Sequence, residues 1–101
     1  MRVLMKIQVP NEPMNTLIKE GKASATIGRL MDEVNPEAIY FTTLDGERGA
    51  IAIVNVTEAS QLPRFAEPFF LALNARCDFS IVMSKEDLAK SGLDKLGASW
   101  R

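Results

Sequence analysis

Gly21-Lys22, with Ser24 close behind, has the ingredients of a phosphate-binding loop, in which backbone N–H groups and a lysine hold an anion. The spacing does not match. A P-loop needs a glycine five residues before the Gly-Lys glycine and a Ser or Thr directly after the lysine. Here position 16 is Thr and position 23 is Ala, and no strand leads into the stretch. A joint between two helices fits better. Gly21 in a helix interior would cost ~0.8–1 kcal/mol relative to alanine; just past a helix end it stabilises. Ser24 can then cap a second helix. One functional expectation survives, a weak anion site made by Lys22, Ser24 and the free N–H groups of that new helix start.

Most catalytic chemistry is excluded by composition. The chain has no histidine and one cysteine. It therefore lacks a Ser–His or Cys–His nucleophile pair, an imidazole for zinc or haem, and a thiolate cluster. Asp32, Glu33 and Glu37 could approach a hard cation, but carboxylates around a helix end read as solvated; no metal and no cofactor is expected. Cys77 lies between Arg76 and Asp78, and strand alternation points it with Phe79 and Ile81, as a buried apolar thiol. Arg48, just past a hairpin, suits either an anion contact or protection of a sheet edge. Glu67 reads as a solvated helix-face carboxylate that could reach a cavity mouth.

The constellation with most promise comes from several strands. Lys6, Gln8, Tyr40, Thr42, Asp78 and Ser80 alternate onto one sheet face, as a polar floor among apolar neighbours, the usual make-up of a small-molecule site. The plainer reading of Lys6 and Asp78 is an interface ion pair.

The elements that must position these residues are legible. Residues 2 to 9 are β-rich and end at Pro10. A helix starts with Asn11 or Asn15 as N-cap; Ala23, Ile27, Leu30, Met31 and Val34 continue at helical spacing until Asn35-Pro36. Asp45-Gly46 is a two-residue type I′ turn between strands near 38 to 43 and 49 to 56. Leu62, Phe65, Ala66, Phe69, Phe70 and Leu73 mark one helix face, which Pro68 should kink or split. Residues 75 to 83 form the fourth strand. Ser84 and Asp87 make a capping-box-like start to a short helix, and the tail should fray or dock through Trp100. The order β-α-β-β-α-β plus a C-terminal helix is the ferredoxin-like α+β arrangement, with helices on one face of a four-stranded antiparallel sheet.

A chain of 101 residues, with 47% hydrophobic and 25% charged residues and a net charge of -1, is expected to be one globular domain, residues 1–101. The lone cysteine, the interrupted apolar run at the N-terminus and the lack of a bilayer-length segment point to a cytoplasmic protein without a membrane partner. No basic run suggests nucleic acid. In residues 50 to 56 both strand faces are apolar, so the sheet face away from the helices should also be covered, by a second copy of the chain.

The runs "MRVLMKIQVP", "NPEAIYFTTLDGERGAIAIVNV" and "AEPFFLALNA" resemble a family of small uncharacterised bacterial proteins of the dimeric α+β barrel (ferredoxin-like) superfamily. The resemblance spans Met1 to about Met83. It implies the fold and a homodimer with facing sheets, and no particular activity. The wider superfamily holds cofactor-independent monooxygenases, haem-degrading enzymes, lactone isomerases and ligand-binding proteins. Having no histidine, this chain departs from the haem-binding and histidine-dependent branches. Three expectations follow: a homodimer binding a small apolar or aromatic molecule between the sheets; a cofactor-independent oxygenase or isomerase using Tyr40, Lys6 and Asp78; or an interaction module with a filled interior.

Overall fold

The computed structural model describes residues Met1–Arg101. In chain order it contains β1 (Arg2–Val9), α1 (Asn11–Lys19), α2 (Ala23–Val34), β2 (Ala38–Leu44), β3 (Glu47–Asn55), α3 (Leu62–Leu73), β4 (Arg76–Ile81), α4 (Lys85–Lys90) and α5 (Leu93–Ala98). A short 3-10 turn, Ala59–Gln61, leads into α3. The four strands pair antiparallel in the order β2-β3-β1-β4, the ferredoxin-like α+β arrangement expected from the strand and helix order.

Alternation decides what each strand buries. On the helix side, β1 presents Val3, Met5, Ile7 and Val9, and β3 presents Ala50, Ala52 and Val54, all buried. Met14 of α1, Leu30 and Val34 of α2, and Phe65, Phe69 and Leu73 of α3 close over them as one core. The small alanines of β3 leave room for the large helix side chains above. On the opposite side, Leu4, Ile51 and Ile53 are only half-buried, because no element of the chain covers that face.

Turn chemistry follows local residue type. Asp45 (φ 50°) and Gly46 (φ 80°) both take the left-handed region, as a type I′ hairpin requires. Gly21 (φ 73°) breaks the first helical segment as expected, with the Lys22 N–H donating to the Leu17 carbonyl at 2.8 Å. Asn35 (φ 46°) ends α2 before Pro36, its N–H donating to the Met31 carbonyl at 2.8 Å.

Four local expectations are corrected. Ser24 is not the cap of α2: Lys22 holds that position without a side-chain bond, and Ser24 lies inside the helix. Neither Asn11 nor Asn15 caps α1. Pro10 precedes it, and Glu12 supplies a local anchor instead, its Oε2 accepting from the Thr16 N–H at 3.3 Å and hydroxyl at 2.7 Å. Pro68 does not split α3, which runs unbroken from Leu62 to Leu73. The Arg64 carbonyl, which loses its donor there, belongs to an exposed residue, so water can serve it. The short helix after Ser84 forms as expected, as α4, but the tail beyond it is a further helix. Ser84 does cap α4: its hydroxyl oxygen accepts from the Asp87 N–H, and Asp87 Oδ2 accepts from the Ser84 N–H, both at 3.0 Å. The tail then turns at Gly92 into α5 rather than fraying or docking, and Trp100 is 87% exposed.

This C-terminal arm accounts for the molecule's shape. The radius of gyration is 17.2 Å and the long axis 61 Å, against ~13 Å for a compact domain of this size. The core lies wholly between Val3 and Ala75, while every residue from Lys85 to Arg101 is exposed. No helix is long and apolar enough to cross a membrane.

Candidate functional site

Strand register assembles the polar constellation on the uncovered sheet face. Lys6 stands between Asp78 on β4 and Ile51 on β3, and Tyr40 on β2 pairs with Ile51. One row across the sheet therefore reads Tyr40, Ile51, Lys6, Asp78. The next row toward the hairpin reads Thr42, Gly49, Gln8, Arg76, and the row on the other side reads Ala38, Ile53, Leu4, Ser80. All six residues, Lys6, Gln8, Tyr40, Thr42, Asp78 and Ser80, share one face.

They are not equally close. With strands ~4.8 Å apart, Lys6 and Asp78 are immediate neighbours, whereas Tyr40 is two strands from Lys6, roughly 10 Å, with Ile51 between. Lys6 and Asp78 stand side by side without closing an ion pair within 4.0 Å, and both are exposed. Gln8 is drawn toward the hairpin, its Nε2 donating to Glu47 Oε1 at 2.7 Å. Tyr40 is 72% exposed, and Thr42 and Ser80 are exposed too, so the site has a floor but no roof within one chain.

The floor is braced at one end by an ion pair across the sheet. Arg2 Nε donates to both Glu37 carboxylate oxygens, at 3.2 and 3.0 Å, and Nη2 donates to Oε1 at 3.1 Å. The hydrogen bonds from Arg2, and its charge, hold the Glu37 carboxyl below its ordinary range and raise the guanidinium further. At the other end Gly49 is buried on the same face. A Cβ there would meet the Ile7 carbonyl oxygen at 2.8 Å and the Leu44 side chain at 2.9 Å, so the missing side chain is what lets Leu44 fold over β3.

The remaining candidates separate cleanly. Cys77 sits on the helix side beside Phe79, half-buried against the core. Burial, and secondarily the charge of Asp78, push its thiol up to about 11, so it is a protonated packing group at neutral pH. Lys22 places its ammonium 3.4 Å from Glu20, which puts a carboxylate where the weak anion site would be. Glu33 pairs with Arg29 at 3.6 Å, and Glu37 is engaged by Arg2, so two of the three carboxylates around the end of α2 have cationic partners. Glu67 lies exposed on the surface between α2 and α3, away from the polar face.

A second concavity was missed by reasoning from the sequence. Between α1, α2 and the β2 edge a cavity of about 310 Å³ opens, lined by 16 residues of which 13 are hydrophobic. Its floor is buried core, Ile7, Leu30, Phe69 and Leu73, and its rim includes exposed Ile18, Phe41, Thr42 and Arg48. The available signal was Phe41, an aromatic on the core-facing side of an edge strand, which ends 63% exposed because the helices stop short of it. No protein-family model and no curated protein matches the chain.

Proposed function

We propose that this protein works as a homodimer whose two sheets face each other, holding a small apolar or aromatic molecule between them. The observation that carries this reading is the uncovered sheet face. It combines apolar Leu4, Ile51, Ile53 and Tyr40 with a polar centre at Lys6 and Asp78. An apolar face of this kind on a small domain gains from burial, at ~25 cal/mol per Å² of apolar surface, and its own chain offers nothing to bury it against.

In the dimer, Lys6 and Asp78 become a desolvated pair, and Tyr40, Thr42, Gln8 and Ser80 supply the few directional contacts a small-molecule site needs. Acid–base catalysis by Tyr40, Lys6 and Asp78 would need a substrate long enough to bridge the two strand spacings between Tyr40 and Lys6, which makes binding the simpler use of the same groups. Native mass spectrometry tests the proposal. A dimer with retained extra mass, reverting to monomer in Ile53→Asp, supports it. A dimer of bare mass reports a filled interior and an interaction module. A monomer at all concentrations ends the proposal.

A further inference from the structure

The cavity between α1, α2 and the edge of β2 is formed within one chain, and apart from Thr42 and Gly49 its lining comes from the helices and the helix-facing strand residues. Its walls come from the break in the first helical segment. Because the chain turns at Gly21, Met14 and Ile18 of α1 form one side while Ala23, Ile27 and Met31 of α2 form the other. Ala50 at the sheet and Ala23 at the start of α2 are too small to fill the space.

At about 310 Å³ the cavity lies at the lower end of the ~300–1,000 Å³ found for small-molecule sites. An apolar wall of this extent left to water forgoes both burial and dispersion contacts.

The rim carries one charge. Arg48 is the only ionisable residue lining the cavity. Its Nη1 donates to the neutral Asn15 Oδ1 at 2.8 Å, and no carboxylate lies within 4.0 Å of it. Glu47 accepts from Gln8 on the opposite sheet face, and Glu12 accepts from Thr16. A guanidinium without an anion, at the mouth of a pocket with apolar walls, matches one ligand class in particular. From these features we infer that the cavity binds a medium-chain monocarboxylate, its hydrocarbon tail among Met14, Ile27 and Met31 and its carboxylate on Arg48. The planar fork of the guanidinium suits a carboxylate's two oxygens, and Asn15 holds that fork at the rim.

Sodium decanoate and 1-decanol, which share a chain and differ in charge, test this by calorimetric titration and by methyl NMR. Decanoate is expected to bind one per chain, to shift the methyl signals of Met14, Ile27 and Met31, and to weaken about tenfold in Arg48→Gln, the loss of a charge-assisted hydrogen bond. Decanol should bind equally to both proteins. Ala23→Phe, a half-exposed rim position, should abolish binding of both while the far-ultraviolet circular dichroism stays unchanged. The inference is overturned if decanoate fails to bind below ~1 mM, if Arg48→Gln leaves its affinity intact, or if the shifted methyls are those of Ile51 and Ile53. That last result would place the ligand on the open face, so the two sites are told apart by the same spectrum.

Discussion

Gly49→Ala should destabilise the protein although it adds a single carbon. The added Cβ would stand 2.8 Å from the Ile7 carbonyl oxygen and 2.9 Å from Leu44 Cγ and Cδ1. Leu44 can swing aside. The Ile7 carbonyl cannot, because Ile7 is paired with Ala50 in the middle of the sheet, and moving it pulls β1 away from β3. Overpacking of this sort costs ~1–3 kcal/mol. Removing a glycine from the unfolded chain returns ~0.4–1 kcal/mol. The net loss is about 1–2 kcal/mol, which at ~4–8 °C per kcal/mol lowers the melting temperature by roughly 5–15 °C for a domain of this size. Urea unfolding followed by far-ultraviolet circular dichroism measures it; fluorescence does not, since Trp100 sits on the exposed arm. Adding Leu44→Ala should recover only part of the loss, as the backbone contact remains. A Gly49→Ala protein as stable as the parent would refute the close approach of β1, β3 and Leu44.

Cys77 should label slowly with a maleimide at pH 7.5 in the folded protein and fast in urea; equal rates would contradict its burial against the core. Since its folded thiol is raised above the unfolded one, its contribution to stability is whole below pH 9 and is lost as the pH rises toward 11, and Cys77→Ala should flatten that alkaline decline. Glu37 has the opposite sign. Its carboxyl is lowered by Arg2, so the stability it adds is present above its ordinary value of 4.5 and lost as the pH falls below it. The difference in melting temperature between the parent and Arg2→Ala should therefore shrink from pH 7 to pH 3, and also in high salt, because both side chains are about half exposed. A chain ending at Ser84 should melt within ~2 °C of the parent, because every residue from 85 to 101 is exposed and none belongs to the core; a larger drop would mean that the arm contributes to the fold or its assembly.

The polar face was legible before any coordinates because strand alternation has a period of two and needs no tertiary information. Lys6 and Asp78 emerge as cross-strand partners once β1 and β4 are neighbours, and the ferredoxin-like order makes them so. The Gly21 joint was legible for the same local reason, a residue free to take positive φ inside an otherwise helical run. Which residue caps the next helix was not. Ser24 has the right chemistry, but α2 begins one turn fraction earlier at Ala23, where the chain leaving Gly21 already has helical geometry. Pro68 does not end α3, and the carbonyl it leaves without a donor belongs to exposed Arg64, an exposure that only packing fixes.

The apolar cavity shows the same limit. Ile27 and Met31 read only as part of the apolar spacing of one helix, and nothing in that spacing says that the two helices will stand far enough apart to leave space between them. The amino-acid sequence alone determined the strands, the hairpin, the helix break and the faces of the sheet, since those follow from backbone preference and short-range periodicity. Only the tertiary structure decided that Arg48 stands at a cavity rim without an anion, that Leu44 fills the hollow of Gly49, and that the C-terminal helices extend from the body. Those features depend on how distant surfaces meet, and free volume and exposure exist only after the chain has packed.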